Sequence, residues 1–136
     1  MKELGLCVSE DDNLTVIPDL EQSYSNMLGH VENRSEFPTA YFADNDILAV
    51  GALRALKQIG KAVPDEISII GMDDLILANV SDPPLTTLKI YKKLMGQLAV
   101  ARLLQKMSEK DQSVQKVLVS AELIVRNSTS TFSPVK

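Results

Sequence analysis

The sequence predicts an α/β domain with a parallel sheet flanked by helices, on three observations. Short apolar runs of strand length occur at residues 39–43, 67–70 and 85–88. Longer segments with helical apolar spacing occur at 20–31, 46–59 and 91–107. The switches between them carry Pro38, Gly60 and the pair Pro83-Pro84, residues that end a helix or start a turn. Strands alternating with helices pair in parallel, because each helix carries the chain back across the sheet.

The composition allows such a core and narrows the function. Of 136 residues, 45% are hydrophobic and only 4% aromatic, so the core must be built from Leu, Ile, Val and Ala. The net charge of −4 argues against this chain gripping nucleic acid by itself, since phosphate binding needs a basic surface. Cys7 is the only cysteine, which excludes an intramolecular disulfide and a multi-cysteine metal site and fits a cytoplasmic location. No apolar run approaches the roughly 20 residues that span a bilayer.

Element by element, residues 1–5 read as the last turn of a helix with Gly5 as its stop, so the chain is expected to be a fragment. Residues 14–17 form a short β-like run ended by Pro18. Asp19 is an N-cap with Gln22 in capping-box position, and Leu20, Tyr24, Met27, Leu28 and Val31 line one face of the helix that follows. After the strand at 39–43 comes a helix at 46–59, whose stripe Leu48, Ala52, Ala55, Leu56 and Ile59 is expected to pack on the sheet. Ile47, Val50 and Leu53 lie on its other side, beside Arg54 and Lys57. A helix apolar on both sides meets a second partner, either a covering helix or another subunit. A short helix at 75–80 precedes the prolines, and a helix at 91–107 carries apolar residues on opposite faces. Residues 117–119 and 123–125 read as strands, and the Ser/Thr-rich tail from Asn127 is expected to fray.

In open parallel sheets ligands bind beyond the carboxyl ends of the strands. Two turns stand there: Asp44-Asn45-Asp46 and Gly71-Met72-Asp73-Asp74. Asp46 and Asp74 have a local explanation as helix N-caps. Asn45 and Asp73 have none, and an amide beside a carboxylate suits a hydroxyl-rich ligand. His30, the only histidine, is expected at a solvated helix end. No nucleophile elbow or Gly-rich phosphate loop occurs, so no catalytic residue, cofactor or metal is expected.

The stretch PTAYFADNDILAVGALRALKQIGKAVPDEISIIGMDD (residues 38–74), with DPPLTTL (82–88) and LIVRNST (123–129), resembles the core of the LacI/GalR transcription regulators. The resemblance runs over roughly residues 14–129. It implies a periplasmic-binding-protein-like lobe of type I. Residues 1–87 would belong to the C-terminal lobe, 88–121 would be a crossover helix and strand of the N-terminal lobe, and 122–136 a return strand and tail. It implies a small-molecule effector, a sugar or related metabolite, bound between lobes by Asn45 and Asp73, with Leu20 where many relatives have a stacking aromatic. Leu20, and Ile90 where some relatives are polar, point towards a smaller or more apolar effector or a protein corepressor. It implies a homodimer formed through Ile47, Val50, Leu53, Arg54 and Ser81. Operator DNA would be met only through a DNA-binding domain outside this chain. Two other classes compete. A periplasmic-type sugar receptor for transport would have an export signal and no helix-turn-helix. A metal-dependent enzyme using Asp73 and Asp74 would gain melting temperature from divalent cations.

Overall fold

The computed structural model describes residues 11, 13–32, 34–108 and 114–131. The expected helix end at 1–5, Cys7 and the last five residues lie outside them. The chain runs α1 (Leu20–Val31), β1 (Ala40–Phe42), α2 (Asp46–Gln58), β2 (Ser68–Met72), α3 (Ile76–Val80), β3 (Thr86–Lys89), α4 (Lys92–Ser108) and β4 (Glu122–Ile124).

The strands form one sheet in the order β1-β2-β3-β4. The first three are parallel, as expected of strands joined through helices. β4 is antiparallel to β3, with Thr87 opposite Ile124 and Lys89 opposite Glu122. The expected parallel sheet thus carries an antiparallel strand at its edge. The chain reaches β4 after leaving the sheet through α4 and returns in the opposite direction. The expected strands at 14–17 and 117–119 do not form. A strand needs a ladder partner, and none of the described strands lies beside either segment.

Register assigns the faces. Tyr41, Ile69, Gly71 and Thr87 share one face, and Phe42, Ile70, Met72, Leu88 and Leu123 share the other. α2 covers the first face, with Ala49 against Gly71. Ile69, Leu56, Leu85 and Ile67 are at most 1% exposed there. On the second face Phe42 and Leu123 remain exposed.

α1 is capped as the sequence predicts, with the Asp19 carboxylate accepting from the Gln22 backbone N–H at 2.9 Å. It packs on α2 because Gly51 allows close approach. A Cβ at that position would lie 2.5 Å from the Ser23 Cβ. Ser23 Oγ in turn donates to the Leu48 carbonyl at 2.8 Å. Arg54 pairs with Glu21 at 2.6 Å and lies over the Tyr24 ring, whose hydroxyl meets Gln58. The fully buried residues of α2 include Ala49, Val50, Leu53 and Leu56, while Leu48, Ala52 and Ile59 are half-buried. Of the expected stripe Ala55 and Leu56 are fully buried, and burial extends beyond it to Ala49, Val50 and Leu53. The helix meets α1, the sheet and α3 on three sides, so apolar spacing alone could not single out the sheet side.

α4 differs: none of its residues is buried, and Leu94, Met95, Val100, Leu103, Leu104 and Met107 are all exposed.

The tail does not fray at its start. Ser128 is fully buried between β2 and β3. Its carbonyl accepts from Ile69 N–H at 2.8 Å, its Oγ accepts from Thr86 N–H at 2.8 Å, and the same Oγ donates to the Ile69 carbonyl at 2.6 Å. Thr86 Oγ1 meets Thr129 Oγ1 at 2.9 Å. Polar composition suggested solvent, but these side chains replace ladder bonds where β2 and β3 separate.

Two outcomes follow from this packing. A Cβ on Gly71 would lie 2.4 Å from Asp46 Oδ1 and 2.9 Å from Leu85 Cδ2. Gly71→Ala is therefore expected to cost about 1–3 kcal/mol in urea unfolding. The Glu66 carboxylate accepts from the Ala62 backbone N–H and pairs with Lys61, which together hold its pKa below the ordinary 4.5. A depressed pKa stabilises the fold above the unfolded value, and the effect fades as pH falls through the folded value. Urea unfolding is expected to separate wild type from Glu66→Gln at pH 7 and to separate them less well below 4.5.

Candidate functional site

The three parallel strands end on one edge of the sheet, and the polar turns gather there. β1 leads into Asp44-Asn45, β2 into Asp73-Asp74, and β3, which ends at Lys89, into the start of α4.

Asn45 has a structural duty the sequence did not reveal. Its backbone is extended and its Oδ1 accepts from the Leu48 N–H at 2.9 Å, which makes it the N-cap of α2. Its Nδ2 makes no hydrogen bond to a described residue and remains a donor at the strand ends. The cap expected of Asp46 is thereby corrected. Asp46 is the first helical residue, and its side chain turns inward to full burial. Thr87 Oγ1 donates to its Oδ1 at 2.6 Å and the Leu75 N–H to its Oδ2 at 2.7 Å.

Asp74 does not cap α3 either. Leu75 occupies that position without a side-chain bond. Asp74 instead pairs with Arg126, Nη2 to Oδ1 at 2.6 Å, with both side chains largely buried. Asp73 and Asp74 both have positive φ, 109° and 52°. Conformations this rare cost of order 1–3 kcal/mol for a residue with a Cβ, so the surroundings must impose them. The Asp73 N–H donates to the Leu88 carbonyl at 2.8 Å, and its carboxylate pairs with Lys92 at 3.0 Å. Next to it the Tyr91 hydroxyl donates to Glu122, and that bond holds the phenol above its ordinary pKa. Lys89 lies 5.8 Å from the Tyr91 ring centre.

Asn45 and Asp73 thus stand at the same edge, each with one group engaged internally. Leu20, the first residue of α1, is half-buried and packs against the hydrophobic core. Val50 and Leu53 are also internal, 6% and 3% exposed, in a core that includes Ala78 and, at its margin, Leu77. Their expected role at a surface contact is corrected on that ground. Ile47 and Ser81 are half-buried and Arg54 is exposed. His30 is not a freely solvated residue: its Nε2 lies 2.6 Å from Arg34 Nη1. Sequence reasoning missed Arg126 and Lys92, whose partners lie 52 and 19 residues away; no local signal joins them.

The chain matches the periplasmic binding protein-like domain over residues 1–129. It is 36% identical over 135 residues to the transcriptional repressor PurR of Haemophilus influenzae, covering 97% of this chain and 40% of that protein. The lac repressor dimer bound to operator and the anti-inducer ONPF superposes with a TM-score of 0.73 at 32% identity, over 82% of this chain and 38% of that one. A LacI-family regulator from Arthrobacter sp. FB24, in complex with lactose, superposes with a TM-score of 0.76 at 28% identity, over 95% and 47%. The chain spans about 40% of the length of the curated relatives it matches. The repressor relatives are regulators rather than enzymes, in keeping with the absence of a catalytic motif.

The capping role of the Asn45 side chain can be tested by itself. Asn45→Ala removes the cap and is expected to lower stability by about 1 kcal/mol, whereas Asn45→Asp keeps the acceptor and should stay within a few tenths of wild type. Thermal unfolding of both variants checks it.

Proposed function

From the premise that the chain belongs to the LacI/GalR family of transcription regulators, within its periplasmic-binding-protein-like effector region, we propose that it forms part of a small-molecule sensor. The observation that supports this is the position of Asn45 and Asp73, each just beyond the carboxyl end of one of the adjacent parallel strands β1 and β2. Nδ2 offers a donor and the carboxylate an acceptor, a pair suited to a hydroxyl or ring nitrogen of a sugar or related metabolite. Leu20 packs into the core and Ile90 is half-buried, so neither adds a stacking or polar contact. A compact effector with few polar groups fits this better than a large glycoside, and a protein corepressor is the other outcome to test.

The domain organisation is part of the same reading. Residues up to 87 form one lobe, and 88–121 pass into a second lobe that would cover the apolar faces of α4. Residues 122–136 return. The rest of the second lobe and the operator-binding domain lie in sequence outside this chain. Effector binding would alter the relation of the lobes and so the fit of a homodimer on DNA, in the cytoplasm. For the dimer, Ile47, Arg54 and Ser81 are joined by Ile76 and Val80, which are 84% and 71% exposed one turn apart on α3. Adjacent exposed apolar side chains suit a contact with a second copy.

The test is thermal-shift screening of the full-length protein against monosaccharides, nucleosides and small, less polar metabolites, with lactose as the large-glycoside comparison. A ligand at about 100 times its Kd should add roughly 2.7 kcal/mol of stability. The shift is expected to vanish in Asp73→Ala and to weaken in Asn45→Asp, which keeps the cap and loses the amide donor. A shift that survives in both variants places the ligand elsewhere.

A further inference from the structure

The turn at the end of β2 is gripped from two directions by the segments through which the chain leaves the sheet and comes back. Outbound, Lys92 in the first turn of α4 holds Asp73 at 3.0 Å. Inbound, Arg126 just after β4 holds Asp74 at 2.6 Å. The two grips differ in kind. Lys92 is 57% exposed and makes a single ion pair, the sort that water and salt weaken. Arg126 is 14% exposed and uses both terminal nitrogens of its guanidinium. Nη1 donates to the Leu85 carbonyl at 2.8 Å, Nη2 to Asp74, and its backbone N–H to Thr86 Oγ1 at 2.9 Å. One residue therefore spans the start of β3 and the β2 exit turn.

That turn needs an external hold. Asp73 and Asp74 have φ of 109° and 52°, both uncommon for a residue with a Cβ, although aspartate is among the side chains that tolerate the left-handed region best. The Asp74 N–H reaches Thr87 Oγ1 only at 3.5 Å, too long to fix it. The short bonds on either side are Asp73 N–H to Leu88 O and Leu75 N–H to Asp46 Oδ2, so the Asp74 carboxylate is the middle fixed point.

We infer that Arg126 is a positioning residue: by holding Asp74 it sets the backbone of Asp73, and so couples the place of the returning strand to the geometry of the effector-facing carboxylate. A shift of β4 would pass through the buried fork to the turn, while the exposed Lys92 pair gives way to a ligand that takes Asp73. The inference rests on the reading of Asp73 as an effector contact, but its test requires no ligand.

The measurement is amide-resolved hydrogen exchange on the full chain, comparing wild type, Arg126→Gln, Arg126→Lys and Asp74→Asn. Exchange at the Asp73 amide is expected to rise about ten-fold or more in Arg126→Gln and Asp74→Asn, with the amides of α2 and the centre of β2 changed far less. Arg126→Lys, which can still reach Asp74, should recover part of the protection. An unchanged Asp73 amide overturns the proposal. So does equal acceleration through the turn, α2 and β2, including outright unfolding of both variants, because the pair would then be a general structural tie. A ligand screen that fails while Asp73 responds to Arg126 removes the effector reading alone. A ligand that needs Asp73 but ignores Arg126→Gln keeps the site and removes the positioning role.

Discussion

The Asp46 carboxyl is the constraint around which the functional edge is arranged. It is fully buried at the first turn of α2, and both its oxygens accept hydrogen bonds, from Thr87 on β3 and from the Leu75 N–H after the β2 turn. A buried acidic group is tolerable only when such donors replace water. Meeting that requirement fixes the start of a helix, a central strand and a turn against one another. It also explains why residue 71 has no side chain, since a Cβ there would occupy the carboxyl's space.

At the edge so formed Asn45, Asp46, Asp73 and Asp74 each have a structural partner. Asn45 spends its oxygen on the helix cap and keeps its amide nitrogen. Asp73 is paired with an exposed lysine, while Asp74 is paired with a buried arginine. The other end of β2 and β3 is closed by Ser128, which substitutes its own hydrogen bonds for the missing ladder. The returning segment thus fastens the sheet at its start through Ser128 and the β2 exit turn through Arg126, within three residues of each other.

Much of the fold was legible in the sequence. Apolar period, capping residues and prolines are local signals, and they located α1, α2, β2, β3 and α4 to within one or two residues. The Asp19 cap was legible because its partner is three residues away. The place of Asn45 and Asp73 at strand ends followed from the rule for parallel sheets, and the structure brings both to one edge. Less legible were choices between equivalent local options. Asn45 and Asp46 are both good N-caps, and which one caps depends on whether Thr87 and Leu75 stand ready to take the other. The apolar faces of α2 had three partners to choose among, so the spacing marked burial without marking against what.

By itself, then, the sequence determined the α/β class, the order of its main elements and the polar turns that follow the parallel strands, because backbone preference and apolar spacing act over a few residues. Only the tertiary structure decided that β4 runs antiparallel, that Ser128 is buried, that Val50 and Leu53 belong to the core, and that Arg126 reaches Asp74. These depend on contacts between residues dozens of positions apart. A polar side chain such as Ser128 or Arg126 can be buried only where distant donors and acceptors have already been brought into place.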